Sequence, residues 1–323
     1  MAVISGELGT ADTIGAWKAR WGIGRMSYLV PPGVYAIGTP DSESPVLVSA
    51  NYKMSYDLVR STMKDHSIWL LVLETFGINV WCAAGKGTFG TAELIRRIGQ
   101  TNLDKLVGHR RLLLPIMGAA GVKAIEVKKQ TGFEVRFATL RIQDMPEYLE
   151  RGLVATPAMR ELTFTIRERL VLTPVELVTA LKSVLFAGTP LAVLYGFGDG
   201  EFLPIRFWLF LALYVAAVLC GTVVFPVLLP WLPGRMFAIK GALTGLALSA
   251  VWLWLSGVTS LLEMIALTLV VSTVSAFYAM NFTGSTPYTS QSGVLREMAL
   301  ALPVMAIAIA SSVVCLLIKV LAA

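Results

Sequence analysis

The charges of this 323-residue chain thin out abruptly: of 48 charged residues, 38 lie before Leu177. Beyond that point only Lys182, Arg206, Arg235, Lys240, Arg296, Lys319, Asp199, Glu201, Glu263 and Glu297 carry charge. A stretch this long and this apolar does not cover itself with a water-soluble surface. The chain therefore divides into a soluble half and a membrane half.

The second half reads as an all-α transmembrane domain of about five spans, near residues 177–197, 203–227, 237–257, 258–280 and 298–320. The first is interrupted by Lys182, Gly188 and Pro190, so a buried or interfacial helix is its alternative. Arg160, Arg167 and Arg169 precede the first span, Arg235 and Lys240 follow the second, and Arg296 follows the fourth. Asp199 and Glu201 lie on the other side. Basic residues stay in the cytoplasm, which places the N-terminal half there, on a multi-pass protein of the inner membrane. Residues 1–40 have no continuous apolar core of the kind a signal peptide needs. Cys82 is therefore expected in a reducing compartment, as a thiol or ligand rather than half of a disulfide, while Cys220 and Cys315 fall inside spans. The net charge of +6 is carried largely by arginines beside spans, with no aromatic-basic interleaving, so nucleic acid is set aside as a partner.

In the soluble half, residues 45–51 form an apolar run suited to a buried parallel strand. Ser55 is the expected cap of a helix through Tyr56, Val59 and Met63. Residues 67–75 are the strongest strand, 91–99 are helical, 111–117 are a third strand, and 133–140 alternate as a fourth near an edge. A helix over 144–151 opens with Pro146. This alternation predicts a small parallel sheet with helices on its faces, a Rossmann-like α/β domain over residues 45–160. Residues 161–176 then read as a linker and 177–323 as the membrane domain. Residues 1–44, with Trp17, Trp21, Tyr28 and Tyr35, read as a strap packed on the soluble domain.

Ligands of such sheets sit beyond the carboxyl ends of the strands, and Cys82 falls just past the strongest one, in Asn-Val-Trp-Cys-Ala-Ala-Gly-Lys (79–86). The match to a phosphate loop fails at two essential places: Val80 stands where glycine is required and Gly87, not Ser or Thr, follows Lys86. A thiolate nucleophile needs a histidine, and the chain has only His66 and His109, neither in a motif. An inert buried thiol is the plainest reading. Metal ligation fits the surroundings better. With Asn79 capping a short helix, Cys82 lies in the first turn, where backbone N–H groups and the helix dipole lower a thiol's pKa. Ala83, Ala84 and Gly85 would let a flat ligand approach the backbone. No CxxC pair is present for a cluster, so a lone thiolate suits the axial position of a macrocyclic metal, haem or corrinoid.

Gly77-Ile-Asn-Val-Trp-Cys-Ala-Ala-Gly-Lys86 resembles the cap-helix signature of the HgcA family, the corrinoid proteins of microbial mercury methylation. Arg20-Trp-Gly-Ile-Gly-Arg25, Val30-Pro-Pro-Gly-Val-Tyr35, Ser49-Ala-Asn-Tyr-Lys-Met-Ser55 and Glu126-Val-Lys-Lys-Gln-Thr-Gly132 resemble that family too. Residues 280–298 are similar to a segment of the corrinoid iron–sulfur proteins of the acetyl-CoA pathway. The resemblance implies a corrinoid cofactor and a corrinoid-dependent methyltransferase with Cys82 as lower axial cobalt ligand. Thr75, Asn79, Val80, Trp81, Ala83, Ala84, Gly85 and Lys86 would line the cofactor. It further implies mercury(II) as methyl acceptor and a small ferredoxin with two [4Fe–4S] clusters as electron donor, the methyl donor being a protein or a methyl-folate. Thr283, Gly284, Ser285, Thr289 and Ser290 are candidates for contact with the cofactor's upper face or a partner. Two other functions are weighed beside it. One is a methyl-carrying corrinoid protein of acetyl-CoA-pathway type; the other is a non-enzymatic corrinoid-binding transporter or sensor, for which Glu263 is the one intramembrane candidate.

Overall fold

Val46–Ala50 and Ile68–Leu73 are buried along their whole length, and they form the two central strands of a six-stranded sheet in the computed structural model of the chain. The structure describes residues 2–198, 201–286, 289 and 291–322. It separates into two units, Met1–Thr163 and Phe164–Ala323.

The first unit runs β1 (Ala2–Ile4), α1 (Thr10–Arg20), β2 (Gly33–Ile37), β3 (Val46–Ala50), α2 (Lys53–Thr62), β4 (Ile68–Leu73), α3 (Val80–Lys86), α4 (Thr91–Gln100), α5 (Leu103–Leu106), β5 (Arg111–Leu114), α6 (Ala124–Thr131), β6 (Glu134–Phe137) and α7 (Met145–Glu150). Strand order is β1-β2-β4-β3-β5-β6. The four strands β4, β3, β5 and β6 are parallel, β2 runs antiparallel to β4, and β1 is parallel to β2. The sheet is thus mixed rather than wholly parallel. Two of its strands come from the N-terminal region that the sequence presents as a strap; Gly and Pro hide them, and their partner β4 recruits them. Side chains alternate along β4. Trp69, Leu71 and Leu73 join Leu94, Ile98 and Phe133 on one face, and Ile68, Leu70 and Val72 join Tyr56, Val59 and Met63 on the other. Helices α3, α4 and α6 cover the first face, α2 and α7 the second. The helix expected to be capped by Ser55 starts three residues earlier: Tyr52 is its cap, and the Lys53 amide is held by the Tyr28 carbonyl at 3.0 Å.

The second unit is helical. It contains α8 (Ile166–Leu170), α9 (Thr173–Ser183) and α10 (Thr189–Gly196), a two-strand hairpin of β7 (Phe197–Gly198) and β8 (Glu201–Phe202), then α11 (Pro204–Leu219), α12 (Phe225–Leu228), α13 (Phe237–Ser256), α14 (Leu261–Asn281) and α15 (Gln291–Ala322). Wide π turns at Val184–Gly188 and Cys220–Val224 join α9 to α10 and α11 to α12 without ending the helical path, each just ahead of a proline. Among the described residues, five helical runs are therefore long and apolar enough to cross a membrane: Ile166–Gly196, Pro204–Leu228, Phe237–Ser256, Leu261–Asn281 and Ser292–Leu321. Small residues let α13 and α14 approach closely; a Cβ on Gly241 would lie 2.3 Å from that of Ala279. Arg169 ties α8, at the start of the first long run, to α12, donating to the Pro226 and Val227 carbonyls at 2.8 and 3.0 Å.

Candidate functional site

In chain order the parallel strands are β3, β4, β5 and β6, but in space β3 lies between β4 and β5. Connections leaving β3 and β5 diverge to opposite faces, which opens a crevice beyond their carboxyl ends. A cavity of about 330 Å³ fills it, lined by Ser49, Ser55, Leu113, Met117, Thr139, Arg141 and Gln143, and by Asn79, Val80 and Trp81 at the start of α3.

The turn that carries α3 to this place is held by Asn51, which follows β3 and is fully buried. Its Oδ1 accepts the Thr75 amide at 3.0 Å and the Gly77 amide at 3.2 Å, and its Nδ2 donates to Glu74 at 2.7 Å. Glu74 Oε1 accepts the Phe76 amide at 2.8 Å, and Glu93 on α4 accepts the Glu74 amide at 2.9 Å. Phe76 and Gly77 both have positive φ, 56° and 71°. The turn is tight enough to need a glycine at 77 and enough hydrogen bonds to hold a phenylalanine in the left-handed region at 76. Thr75 is fully buried, its hydroxyl 2.7 Å from the Ile78 carbonyl, so it supports the turn and does not line the cavity.

Asn79 then caps α3, its side chain accepting the Cys82 amide at 3.0 Å. Cys82 sits in the first turn, half-buried. Ala83 and Ala84 are both buried in the core, where Gly121 packs against the Ala84 backbone. A Cβ on Gly121 would lie 3.0 Å from the Ala84 Cα and 2.1 Å from the Phe89 carbonyl. What remains open is the stripe Cys82, Gly85, Lys86, spaced three and four apart on one side of the helix. A Cβ on Gly85 would meet nothing within 4 Å, and Lys86 is exposed. Arg25 adds a cation close enough to act on the thiol; its guanidinium lies over the Tyr52 ring at 5.9 Å. Burial pushes the Cys82 thiol above its ordinary pKa, while Lys86, Arg25 and the Asn79 hydrogen bond pull it back. Desolvation therefore outweighs these attractions, where the sequence led to an expectation of a lowered pKa.

Both histidines are far from this thiol along the sheet. His66 precedes β4 and His109 precedes β5, at the amino ends of the strands, whereas Cys82 follows the carboxyl end of β4. His109 is also engaged on both ring nitrogens, with the Ser44 carbonyl at 2.9 Å and the Arg111 amide at 3.2 Å. A Cys–His nucleophile is not assembled. Among the described residues no three His, Cys, Asp or Glu side chains gather to hold a metal ion, so a metal at Cys82 would need to bring further ligands with it.

Of the upper-face candidates, Thr283 and Thr289 use their hydroxyls within their own turn, donating to the Met280 and Thr283 carbonyls at 2.6 Å each. Gly284 and Ser285 complete the 3-10 turn Phe282–Ser285, and Ser290 lies outside the described residues.

Sequence reasoning found the cap helix and missed its supports, Asn51, Glu74, Glu93 and Arg25. The visible signal was a polar residue, Asn51, ending an otherwise apolar strand.

Residues 25–148 match a protein family described as the CO dehydrogenase/acetyl-CoA synthase delta subunit. Among curated proteins, a subunit gamma of the acetyl-CoA decarbonylase/synthase complex from Methanopyrus kandleri is 37% identical over 125 residues, covering 38% of this chain and 26% of the relative. The Archaeoglobus fulgidus and Methanocaldococcus jannaschii gamma subunits are 32% and 31% identical over 130 residues, covering 40% of this chain and 27% and 26% of theirs. The chain thus spans about a quarter of the length of the curated relatives it matches. These matches correct the mercury-methylation resemblance: they name acetyl-CoA decarbonylase/synthase subunits, and mercury(II) as substrate and the ferredoxin as partner fall with it. Every strand from β2 to β6, the Asn51 turn and the Cys82 helix lie in the matched stretch, and what it is similar to is a subunit of the acetyl-CoA decarbonylase/synthase complex.

Proposed function

We propose that the first unit binds a corrinoid at Cys82 and that the chain is a membrane-anchored methyl carrier of acetyl-CoA-pathway type. The observation that carries this reading is the open stripe Cys82–Gly85–Lys86, with a thiol beside a glycine that leaves the helix backbone uncovered. The residues fit the group. The lone thiolate would supply one metal ligand where, among the described residues, no cluster of other metal donors gathers, and Gly85 leaves room for a flat ring. Bound there, a corrinoid supplies a cobalt centre that accepts and gives up a methyl group.

Everything else is the chain's own work. Asn79 fixes the helix start and so the thiol's direction. The Asn51–Glu74–Glu93 bonds hold that start against the strain at Phe76. Lys86 and Arg25 favour the thiolate over the thiol when a metal takes it. Ser49, Ser55, Thr139 and Gln143 line the adjoining cavity, where they would meet polar side arms of the ring. The five long apolar helices would anchor the chain in the inner membrane with the first unit in the cytoplasm, the side favoured by Arg160, Arg167, Arg169, Arg235, Lys240 and Arg296. Methyl donor and acceptor would be other subunits of an acetyl-CoA-forming or acetyl-CoA-cleaving assembly.

The test is to produce the full chain in a corrinoid-supplied host and measure bound cobalt and the optical spectrum beside Cys82→Ala. About one cobalt per chain, with a sulfur-ligated spectrum that the variant loses, supports the reading. Absence of cobalt from both proteins, or identical spectra, refutes it.

A further inference from the structure

The second unit places three charged side chains around one tyrosine at one end of its helices. Arg206 stands in the first turn of α11, Glu263 in the first turn of α14, and Lys319 near the end of α15. Glu263 is 4% exposed. It accepts a hydrogen bond from Arg206 at 3.3 Å and is ion-paired with Lys319 at 2.8 Å. Both cations also lie against the Tyr195 ring, 5.5 and 5.4 Å from its centroid. A cavity of about 440 Å³ opens beside the group, with Trp252 and Ser260 among its other walls.

The charges there do not balance. Among the described residues the cavity holds two cations and one carboxylate. Glu263 already serves both of them, and the buried Lys319 ammonium makes no well-aligned hydrogen bond. An excess positive charge among apolar helices is costly to leave unneutralised, and the rings and hydroxyls around it leave a space of ligand size.

We propose that this cavity binds an oxyanion carrying an apolar group, a phosphate ester or a carboxylate, with Arg206 and Lys319 as its charge partners and Trp252 against its apolar part. The same chemistry is offered by an anionic lipid headgroup and by a soluble anion. This site is independent of the corrinoid reading of the first unit.

The experiment uses the full chain in phosphatidylcholine nanodiscs with three probes: inorganic phosphate, octanoate, and phosphatidic acid included in the disc. Binding is read as anion adducts in native mass spectrometry and as a rise in the helical melting midpoint, with octyltrimethylammonium as the cationic control. Saturable binding of phosphate or octanoate indicates a soluble ligand, and binding of phosphatidic acid alone indicates a lipid; either supports the proposal. Arg206→Gln and Lys319→Gln are expected to weaken binding at least about tenfold, and Lys319→Arg to restore it. Glu263→Gln is expected to strengthen binding, because it removes the resident carboxylate that competes for the cations. Failure of all three probes to bind the wild-type chain overturns the proposal without recourse to any variant. Binding that Arg206→Gln and Lys319→Gln leave unchanged overturns it too.

Discussion

The side-chain oxygen of Asn51 lies 3.2 Å from the amide of Gly77, across 26 residues of chain, and that contact sets where the cap helix begins. The same oxygen takes the Thr75 amide, so one buried side chain closes the turn between the strongest strand and the candidate ligand.

Replacing Asn51 by alanine leaves the Thr75 and Gly77 amides buried without their acceptor. A buried unsatisfied donor costs roughly 1–3 kcal/mol, so Asn51→Ala should destabilise the first unit by about 2–4 kcal/mol. Hydrogen exchange on the full chain checks this: amides of 75–86 should lose protection before those of β3 and β4. Asn51→Asp should be worse at neutral pH, because it sets a second carboxylate against Glu74.

Two glycines ten residues or fewer apart should respond in opposite directions. Gly77→Ala forces a side chain into φ 71° with the Met26 carbonyl 3.2 Å from its Cβ, a cost of about 1–2 kcal/mol. Gly85 is helical with open space around it, so Gly85→Ala should stabilise the cofactor-free protein by about 0.5–1 kcal/mol. A flat group lying on that face would nonetheless be lost from Gly85→Leu. Cobalt content measured beside thermal unfolding separates the two effects.

Acid should release helix α1. Asp12 bonds Lys53 and Arg60 at 2.6 Å each, and the Lys53 hydrogen bond is the main influence holding its carboxyl well below the usual range. A depressed folded-state pKa gives stability that is present above the unfolded value near 4 and is lost as pH falls towards the folded one. Proteolytic cutting within residues 5–25 should therefore rise below about pH 4 in the wild type. In Asp12→Asn it should already be raised at neutral pH and change little with acid.

Within the second unit, Gly241→Leu should separate α13 from α14. The new side chain has no room against Ala276 and Ala279, and overpacking of this kind costs about 1–3 kcal/mol. The readout is a lower midpoint of helical unfolding in detergent, with Gly234→Leu, in open space but at positive φ, as a loop control.

The sequence made the framework legible wherever local pattern decides it. β3 and β4 are apolar runs buried on both faces, α4 has a helical period, and Asn79 is a side chain whose capping role is chemical. It failed where the deciding contact is distant. Arg111 begins a strand that ends at Leu114, because Pro115 offers no amide to the ladder and the Ile116 amide is taken by Thr139. Ala83 and Ala84 resemble a platform for a ligand, yet both are buried in the core, with Gly121, thirty-odd residues on, against the Ala84 backbone. Glu93 has no local signature and Asn51 shows only as a polar residue closing an apolar strand, since their task is to bond a turn that lies elsewhere in the chain. In the second half, length and hydropathy sufficed for the helices but not for the π turns, which leave no periodic trace.

The reversed direction of β2 has a consequence for traffic at the ligand end of the sheet. Gly33 pairs with Val72, so the residues entering β2 arrive where β4 leaves, alongside the thiol's helix. A parallel strand in the same slot would have brought in the residues that follow it, and Arg25 would have been stranded roughly 15 Å away at the far rim. One strand's polarity thus decides which stretch of chain guards the opening, and it recruits the N-terminal segment as a wall.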